Sequence, residues 1–274
     1  MIKHSIGIIQ GRLSRPVGGR IQAFPARTWE AEFALAAELG LDAIEWIFED
    51  PYQKNPLWTD EGRACVKEIV GKTGVRINQV CADYFMEHPF FRVSETERQQ
   101  SIGILKQVMP FCREIGATSI EIPLLDNSRI ETDEELASVL EIMNQALPLA
   151  EAHGLTLSFE TSLEPEKFAK FMSALDSPAA KVVYDIGNSA SLGYDTGEEI
   201  AAVGKYLSNV HLKDRVRGGS TAPLGTGNAN FSKTFAAFKD LGYDGPITLQ
   251  VARGEAGQEA ETTRAHLKFF NKYL

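Results

Sequence analysis

A single unit recurs along the chain: an amphipathic helical stretch, a glycine, a short turn and an apolar strand. The unit occurs in A-E-L-G-L-D-A-I-E-W, G-K-T-G-V-R-I-N-Q-V, R-E-I-G-A-T-S-I-E-I, E-A-H-G-L-T-L-S-F-E and K-D-L-G-Y-D-G-P-I-T-L-Q. Its glycines, at positions 40, 74, 116, 154 and 242, are 34, 42, 38 and 88 residues apart, and the last interval contains the further strands V-V-Y-D and N-V-H-L-K. A glycine just past a helix end tolerates the left-handed backbone that turns the chain back. The sequence therefore predicts helices and strands in alternation.

The repeat predicts eight strands and eight helices. The strands are expected at about 5–10, 43–48, 76–82, 118–124, 155–160, 181–185, 209–213 and 246–251. The helices are expected at about 29–39, 60–73, 95–115, 133–153, 164–175, 197–207, 230–241 and 259–273. Three helix starts have capping-box spacing, at Ser94–Glu97, Thr132–Glu135 and Thr196–Glu199.

The order of these elements indicates an α/β fold. Nearly continuous apolar strands that alternate with helices pair in parallel and are buried on both faces. Eight such units are typical of a (β/α)8 TIM barrel, which we expect to occupy residues 1–274 as a single domain. A doubly wound open sheet is the alternative, but I-I-Q-G-R-L-S after the first strand lacks the G-x-G-x-x-G phosphate motif of that fold.

Charge and cysteine content limit the class of partner and the compartment. The formal net charge is −9 and no basic stripe is present, which argues against a nucleic-acid partner. The three cysteines are widely spaced and form no C-x-x-C pair, as is typical of reduced thiols in the cytosol. The N-terminal apolar run is too short for a signal peptide, and no stretch approaches a membrane span. We therefore expect an unprocessed cytoplasmic protein without a membrane partner.

Polar side chains stand where the predicted strands end. In a barrel the carboxyl ends of the strands meet on one face, where active sites are built. The residues at these ends are Gln10, Arg12, Glu45, Glu49, Asp83, Glu121, Glu160, Asp185, His211, Lys213, Asp214 and Gln250. Strands five to eight contribute two carboxylates, an imidazole and an amide, from Glu160, Asp185, His211 and Gln250. Because these donors suit Mn²⁺, Mg²⁺, Co²⁺ or Zn²⁺, we predict that they bind one divalent metal ion.

Each of these residues also has an ordinary structural interpretation. Asp185 precedes Ile-Gly-Asn and is placed to form an Asx-turn. A lone strand histidine such as His211 is more often a core or turn residue than a ligand, and Glu160 is placed to pair with a lysine or arginine on a neighbouring strand. The metal hypothesis is favoured because it explains four positions on consecutive strands together.

Three motifs, F-E-T, Y-D-I-G-N and V-H-L-K-D, resemble the xylose isomerase-like barrel superfamily, a sugar phosphate isomerase/epimerase group that also includes apurinic endonuclease IV. The segments I-G-I-I-Q-G-R-L-S and P-L-G-T-G-N-A-N-F extend the resemblance over essentially the whole chain. The resemblance implies one divalent metal at Glu160, Asp185, His211 and strand eight, an open-chain sugar or hydroxy-ketone substrate, and a homodimer or homotetramer. The endonuclease branch is rejected, because its zinc cluster needs many histidines at strand ends and only His211 qualifies.

Two positions depart from the family pattern. Family epimerases and isomerases commonly have glutamate on strand eight, where this chain has Gln250, and some have histidine at the position of Asn188. Glutamine offers an oxygen to a metal but cannot exchange a proton. Epimerisation with inversion uses acid–base groups on both faces of a carbon, whereas isomerisation through a cis-enediol needs one base. With Glu160 as base and Lys213 as the second catalytic residue, aldose–ketose isomerisation of a sugar or sugar phosphate is favoured.

Further polar residues at the strand ends are assigned to the substrate. They are Gln10, Arg12, Glu45, Asp83, Glu121, Asn188 and Arg215. The candidates for a second proton carrier are Glu45, Asp83, Glu121 and Lys213. Two other functions stay open: a keto-polyol dehydratase that uses the same metal-enediolate chemistry, and a non-catalytic sugar-binding barrel that lost its proton carrier at position 250.

Two loops are expected at the mouth of the barrel. Lys213, Arg215 and Arg217 precede L-G-T-G-N-A-N-F, and barrels often bind phosphate with the loops after strands seven and eight. The alternative is a tight loop without a ligand. The loop D-Y-F-M-E-H-P-F-F-R brings four aromatic residues near the site, either as a lid that excludes water or as packing against the first helices or another subunit. Trp46 is assigned to a further wall of the site.

Overall fold

The computed structural model describes residues 4–273 and contains a closed barrel of eight parallel strands. These strands are Ile6–Ile9, Ala43–Ile47, Arg76–Cys81, Ser119–Leu124, Thr156–Thr161, Ala180–Asp185, Leu207–Leu212 and Ile247–Leu249. Each strand pairs with its neighbours in the chain, and the first pairs with the last, where Ile6 lies opposite Ile247. The predicted (β/α)8 barrel is confirmed, and its closure excludes an open doubly wound sheet.

The predicted helices surround the barrel. They span Trp29–Glu38, Asp60–Thr73, Glu95–Glu114, Asp133–Ala152, Pro165–Ala174, Thr196–Val203, Phe231–Leu241 and Glu259–Phe270. Shorter helical segments lie at Tyr52–Lys54, Pro56–Trp58, Tyr84–Glu87, Asp126–Ser128, Ile186–Leu192 and Gly204–Tyr206, and Asp214–Arg215 pairs antiparallel with Thr221–Ala222. Within residues 4–273, none of the helices combines the length and the apolar character needed to cross a bilayer.

The glycines of the repeat have the backbone conformation that the sequence pattern predicts. All five have positive φ angles, between 66° and 93°. Gly74 and Gly242 are the left-handed C-cap residues of their helices, and their amides bond to the carbonyls of Val70 and Lys239. Residues with a Cβ atom rarely adopt this conformation. Glycine at these points therefore ends each helix and directs the chain into the next strand.

Two of the three predicted capping boxes are present. Ser94 with Glu97, and Thr132 with Glu135, form reciprocal side-chain and backbone hydrogen bonds at the starts of their helices. The third prediction, Thr196–Glu199, is wrong. Asp195 caps that helix by accepting from two backbone amides, while Glu199 accepts a hydrogen bond at 2.9 Å from the Tyr184 hydroxyl.

The interior of the barrel contains a polar layer at the middle of its strands. Glu45 accepts hydrogen bonds from Gln79 Nε2 at 3.1 Å and from Asn209 Nδ2 at 2.9 Å. The same Gln79 nitrogen donates to Glu121 at 3.0 Å. All four residues are buried. Because a buried carboxylate costs several kcal/mol unless it is paired and hydrogen-bonded, this layer is stable only while its network is satisfied.

We expect Gly62→Ala to destabilise the fold and Gly71→Ala, in the same helix, to stabilise it. A Cβ at position 62 would lie 2.6 Å from Pro56 Cα and closer still to the Pro56 carbonyl oxygen, so backbone must shift. At position 71 a Cβ meets nothing within 4 Å. We expect a loss of about 1–3 kcal/mol for Gly62→Ala and a gain of roughly 0.5–1 kcal/mol for Gly71→Ala. Equal effects in urea unfolding would contradict the tight approach of Pro56.

Candidate functional site

A cavity of about 460 Å³ opens at the carboxyl ends of the barrel strands. The predicted site residues that line it are Asp83, Glu121, Glu160, Asn188, Lys213, Arg215 and Gln250. Asp185 and His211, which are only 4% and 0% exposed, lie beneath it and contact residues of its floor. The structure therefore brings together the polar ends of strands five to eight.

Three other predicted substrate residues do not line the cavity. Gln10 is buried and accepts a hydrogen bond from Ile47 N at 3.0 Å. Arg12 donates to the carbonyls of Val251 and Ile21 at 2.8 and 2.5 Å, so it joins two segments of backbone. Glu45 lies deeper, against His211. These three side chains are buried outside the lining of the cavity, so the structure gives no support for their assignment to the substrate.

The imidazole of His211 is held between two layers of carboxylates. Its Nε2 lies 3.1 Å from Glu45 Oε1, and Glu45 can only accept, so Nε2 carries the proton. The other nitrogen, Nδ1, is buried and has no hydrogen-bond partner. Nδ1 faces Glu160 Oε2 at 3.8 Å and Asp185 Oδ2 at 3.9 Å. The Glu45 carboxylate thus orients the ring through Nε2, and Nδ1 faces the carboxylates of Glu160 and Asp185.

This arrangement fits a divalent cation. Donor atoms bound to one zinc-sized ion at about 2 Å lie roughly 3–3.5 Å apart, and His211 Nδ1 lies 3.8 Å from Glu160 Oε2 and 3.9 Å from Asp185 Oδ2. A buried imidazole nitrogen without a partner costs free energy, and the ion would satisfy it together with the two carboxylates. A histidine ligand whose second nitrogen donates to a carboxylate is the usual way in which proteins orient such a ligand. Glu121, Glu160 and His211 each have a donor atom within 4.8 Å of the other two, and Asp185 approaches this group through His211 Nδ1.

Burial and charge act against each other in this cluster. Burial opposes both charges of the His211–Glu45 pair, but their attraction lowers the pKa of Glu45 and raises that of His211 to about 9. Burial, and then the nearby Asp185 carboxylate, raise the pKa of Glu160 above its usual range. Burial and the charge of Glu45 raise the pKa of Glu121 well above the ordinary value. The raised pKa values of Glu160 and Glu121 mean that their charged forms are disfavoured by burial and by neighbouring carboxylates, and a bound cation would stabilise those charged forms.

Asp185 has both of the roles that its sequence context predicts. One oxygen, Oδ1, accepts from Asn188 N at 2.7 Å and caps the short helix Ile186–Leu192. The other, Oδ2, faces His211 Nδ1 and accepts a hydrogen bond from Lys213 at 3.2 Å. Asn188 in turn donates to Glu160 Oε1 at 2.5 Å and accepts from Arg215 at 2.8 Å. The Asx-turn and the site are therefore not alternatives, because each uses a different carboxylate oxygen.

Gln250 lies beside this group, with both ends of its amide engaged. Its Oε1 accepts from Lys213 Nζ at 2.8 Å, and its Nε2 donates to Gln22 at 3.1 Å. Lys213 Nζ also forms an ion pair with the Asp185 carboxylate at 3.2 Å. The amide oxygen that was predicted to bind the metal is thus next to an ammonium group.

A family model described as a xylose isomerase-like TIM barrel matches residues 33–273 of this chain. The chain belongs to this family. Among its relatives, the L-ribulose-5-phosphate 3-epimerase UlaE of Salmonella heidelberg (strain SL476) is 25% identical over 246 residues, which cover 86% of this chain and 87% of the relative. The enzyme of the same name from Salmonella typhi has the same identity and coverage.

Several solved structures share the fold of this family member. A structure of L-ribulose 3-epimerase has a TM-score of 0.79 at 16% identity, covering 99% of this chain and 95% of that one. The IolI protein with a binding zinc atom also has a TM-score of 0.79 at 16% identity, covering 98% and 99%. D-Psicose 3-epimerase with D-tagatose, from Clostridium cellulolyticum H10, has a TM-score of 0.76 at 15% identity, covering 98% and 99%. The protein therefore has the xylose isomerase-like TIM barrel fold that the sequence motifs indicate.

The glycine-rich loop after strand seven is closed by a residue of the chain itself. Asp214 is fully buried and accepts hydrogen bonds from Gly225 N and Gly227 N at 2.9 Å and from Ala229 N at 3.0 Å. These are amides of L-G-T-G-N-A-N-F, the segment considered for phosphate. Because a carboxylate already binds them, the observed conformation corresponds to the tight loop without a ligand.

The aromatic residues near the mouth pack within the protein. Phe85, Phe90 and Phe91 are buried, and Tyr84 is stacked on His88 at 4.3 Å between ring centroids. None of these residues lines the cavity, which the same segment reaches through Met86 and Glu87. The observed conformation corresponds to loop packing, not to a lid. Trp46 is likewise buried: its indole nitrogen donates to Asn55, and its ring packs on Phe24 and Trp29.

The loop after strand one contributes residues that the sequence did not reveal. Gln22 donates to Asp83 at 2.8 Å and accepts from Gln250, so it crosses the mouth from strand three to strand eight. Arg20 lines the cavity and pairs with Glu49 at 2.8 Å. Residues 15–28 form no regular element and contain no motif, so nothing in the sequence indicates which residues these side chains pair with.

We expect Asp214→Asn to destabilise the protein by about 2–4 kcal/mol, because an amide nitrogen would face backbone donors that now bind a buried carboxylate. Asp195→Asn is the matched control. Asp195 also accepts from two backbone amides, but it is exposed and asparagine is an equally good helix cap. Urea unfolding measures the stability of both variants, and limited proteolysis reports the loop at 223–229. Similar small effects would show that Asp214 does not hold this loop.

Proposed function

We propose that this family member is a divalent-metal-dependent isomerase of a sugar or sugar phosphate that interconverts aldose and ketose through an enediolate. The observation that carries the proposal is the unpartnered Nδ1 of His211, which faces Glu160 and Asp185 beneath the cavity. The names of the relatives support the same chemistry, because epimerisation next to a ketone also begins with removal of a proton beside a carbonyl.

Glu160, Asp185 and His211 would hold the metal ion. When bound, a divalent ion polarises a carbonyl and stabilises the negative oxygen of an enediolate. Glu45 fixes the imidazole of His211 through Nε2, and Asn188 fixes one oxygen of Glu160 and one of Asp185. These contacts hold the donors in position before substrate binds, which lowers the reorganisation needed during the reaction.

Glu160 is the proposed base. It lines the cavity, and its Oε1 receives the Asn188 amide at 2.5 Å, so the carboxylate has a fixed orientation. A base acts on a C–H proton when its oxygen lies within hydrogen-bond reach of the reacting atom in the bound substrate. Gln250, at the position where family members commonly have glutamate, cannot accept a proton. With a base on one face of the carbon only, isomerisation through a cis-enediol is the favoured reaction.

Lys213 is the proposed second catalytic residue. It lines the cavity between strands six and eight and is bonded to Gln250 and Asp185. Its ammonium group donates hydrogen bonds and is placed to bind a substrate oxygen. A second candidate function, epimerisation, is favoured by the names of the relatives. In that case Lys213 would carry a proton on the face opposite Glu160.

Arg215 is the proposed contact for a phosphorylated substrate. It lines the cavity and donates to Asn188 Oδ1 and to the carbonyl of Gly219. Within residues 4–273 it has no ion pair with a carboxylate, so its charge is available to an anion. Both free sugars and sugar phosphates therefore belong in a substrate panel.

The proposal is tested by solvent deuterium exchange into ketoses, aldoses and their phosphates. We expect exchange by the metal-loaded protein, its loss on chelation and its return with Mn²⁺, Co²⁺ or Zn²⁺. Glu160→Gln should abolish exchange without unfolding the protein, because it removes the base. Glu164→Gln, an exposed substitution in the following loop, should exchange like wild type. Undiminished exchange by Glu160→Gln would refute the assigned base.

Lys213→Met separates the two candidate reactions. For an isomerase, exchange and product formation should fall together, by about 10²–10⁴-fold, because both depend on the same enediolate. For an epimerase, Glu160 still removes its proton, so exchange should persist while the epimer is no longer formed. Lys233→Met, which changes an exposed lysine paired with Asp195, controls for the loss of one positive charge. Product analysis by NMR distinguishes an isomer, an epimer and a dehydrated ketone.

A further inference from the structure

The loop after strand one forms part of the cavity wall without regular secondary structure of its own. Arg20, Ile21 and Gln22 line the cavity. Among the residues that the structure describes, the backbone of residues 15–22 forms a single hydrogen bond with other backbone, from Arg20 N to Val17 O at 3.1 Å. Because backbone groups without such partners are satisfied by side chains or water, contacts from other parts of the barrel must determine where this wall lies.

Arg253, from the loop after strand eight, joins the two ends of the loop. Its Nη1 donates to the carbonyl oxygen of Ser14 at 2.9 Å, and its Nε donates to that of Ile21 at 2.8 Å. Arg12 Nη1 donates to the same Ile21 oxygen at 2.5 Å. A guanidinium presents its donors in a rigid planar fork, so one side chain fixes the separation of the two carbonyls.

The base of the loop is packed closely around this guanidinium, and its tip is not packed. A Cβ at Gly11, which has a φ of 84°, would lie 2.6 Å from the Ala23 carbonyl oxygen and 3.5 Å from Arg253 Nη2. A Cβ at Gly18 or Gly19 would meet nothing within 4 Å. The contacts that hold the loop are therefore concentrated at its base, where Arg253 lies.

We propose that Arg253 is a positioning residue of the cavity, which spans the Ser14 and Ile21 carbonyls with two nitrogens and so holds in place a loop that the substrate contacts. This inference rests on the proposed function for the cavity as the substrate site. Arg253 does not line the cavity, so it acts through Ile21 and Gln22, which do. The amide of Gln22 then joins the loop to Gln250 at 3.1 Å.

Trypsin measures the opening of this loop without reference to turnover. Arg20 is exposed, whereas the bond after Arg15 precedes proline and resists trypsin. We expect the Arg20–Ile21 bond to be cut about tenfold faster in Arg253→Met than in wild type, because native-state cleavage follows the population of the open form. Local opening gives one cut that leaves residues 21–274 intact. A wild-type rate, or simultaneous cutting at many sites, would overturn the inference.

Two further variants separate the geometry of the fork from its charge. Arg264→Met removes an exposed arginine of the last helix and should be cut like wild type. Arg253→Lys keeps the positive charge but presents its donors from one nitrogen, so we expect cleavage roughly threefold or more above wild type. Full restoration of the wild-type rate by lysine would assign the effect to charge and overturn the role of the fork. Urea unfolding measures the global stability of each variant.

Steady-state kinetics tests whether the loop contacts the substrate. The substrate is the sugar or sugar phosphate with the fastest deuterium exchange in wild type. Arg253→Met should raise KM about tenfold and change kcat less than about threefold, because it weakens a binding contact and leaves the reacting groups in place. Lys213 keeps its own bonds to Gln250 and Asp185. An unchanged KM, with or without a fall in kcat, would overturn the contact between loop and substrate.

The two experiments separate this inference from the proposed reaction. If wild type catalyses no exchange with any sugar or sugar phosphate, the proposed function is wrong, and the cleavage rates decide whether Arg253 holds the loop. If exchange occurs and Arg253→Met is cut at the wild-type rate, the reaction stands and the positioning role is wrong.

Discussion

The structure depends on how one imidazole is shared among buried carboxylates. His211 lies within 4 Å of oxygens from Glu45, Glu121, Glu160 and Asp185, and all five residues are buried. Such a group of like charges is unstable unless cations and hydrogen-bond donors compensate it. His211 and Lys213 provide part of that compensation, and amides from strands three and seven provide more. The electrostatic demand for a further cation is therefore a property of the barrel itself.

The placement of the cluster follows from the closed topology. Parallel strands present their carboxyl ends on one face, so single residues that are far apart in the chain become neighbours there. Glu45 and His211 come from the second and seventh strands and meet across the interior. An open sheet would keep these two strands apart, and neither residue would find a partner. Closure of the barrel is therefore what permits charges to be buried at this depth.

The sequence predicts regular elements well and loop contacts poorly, for physical reasons. Glycines past helix ends and apolar runs are local signals, so all eight strands and eight helices were predicted close to their observed bounds. The Thr196–Glu199 capping box failed because Glu199 is used by Tyr184. Glu160, Asp185 and His211 lie near one another, as the convergence of strand ends predicts. Gln22 was missed and Arg12 was misassigned, because side chains after the first strand find their partners only in three dimensions.

The buried Asp214 has a consequence for recognition. By binding three amides of the glycine-rich turn, it acts as an internal substitute for an anionic ligand and keeps that segment preformed. Little conformational entropy would be lost there when a small molecule enters, since the turn is already ordered. Discrimination between related sugars then falls to the remainder of the rim, where the first and fourth loops supply Ile21 and Leu125. Evolutionary change of substrate in such a barrel would be easiest on that side.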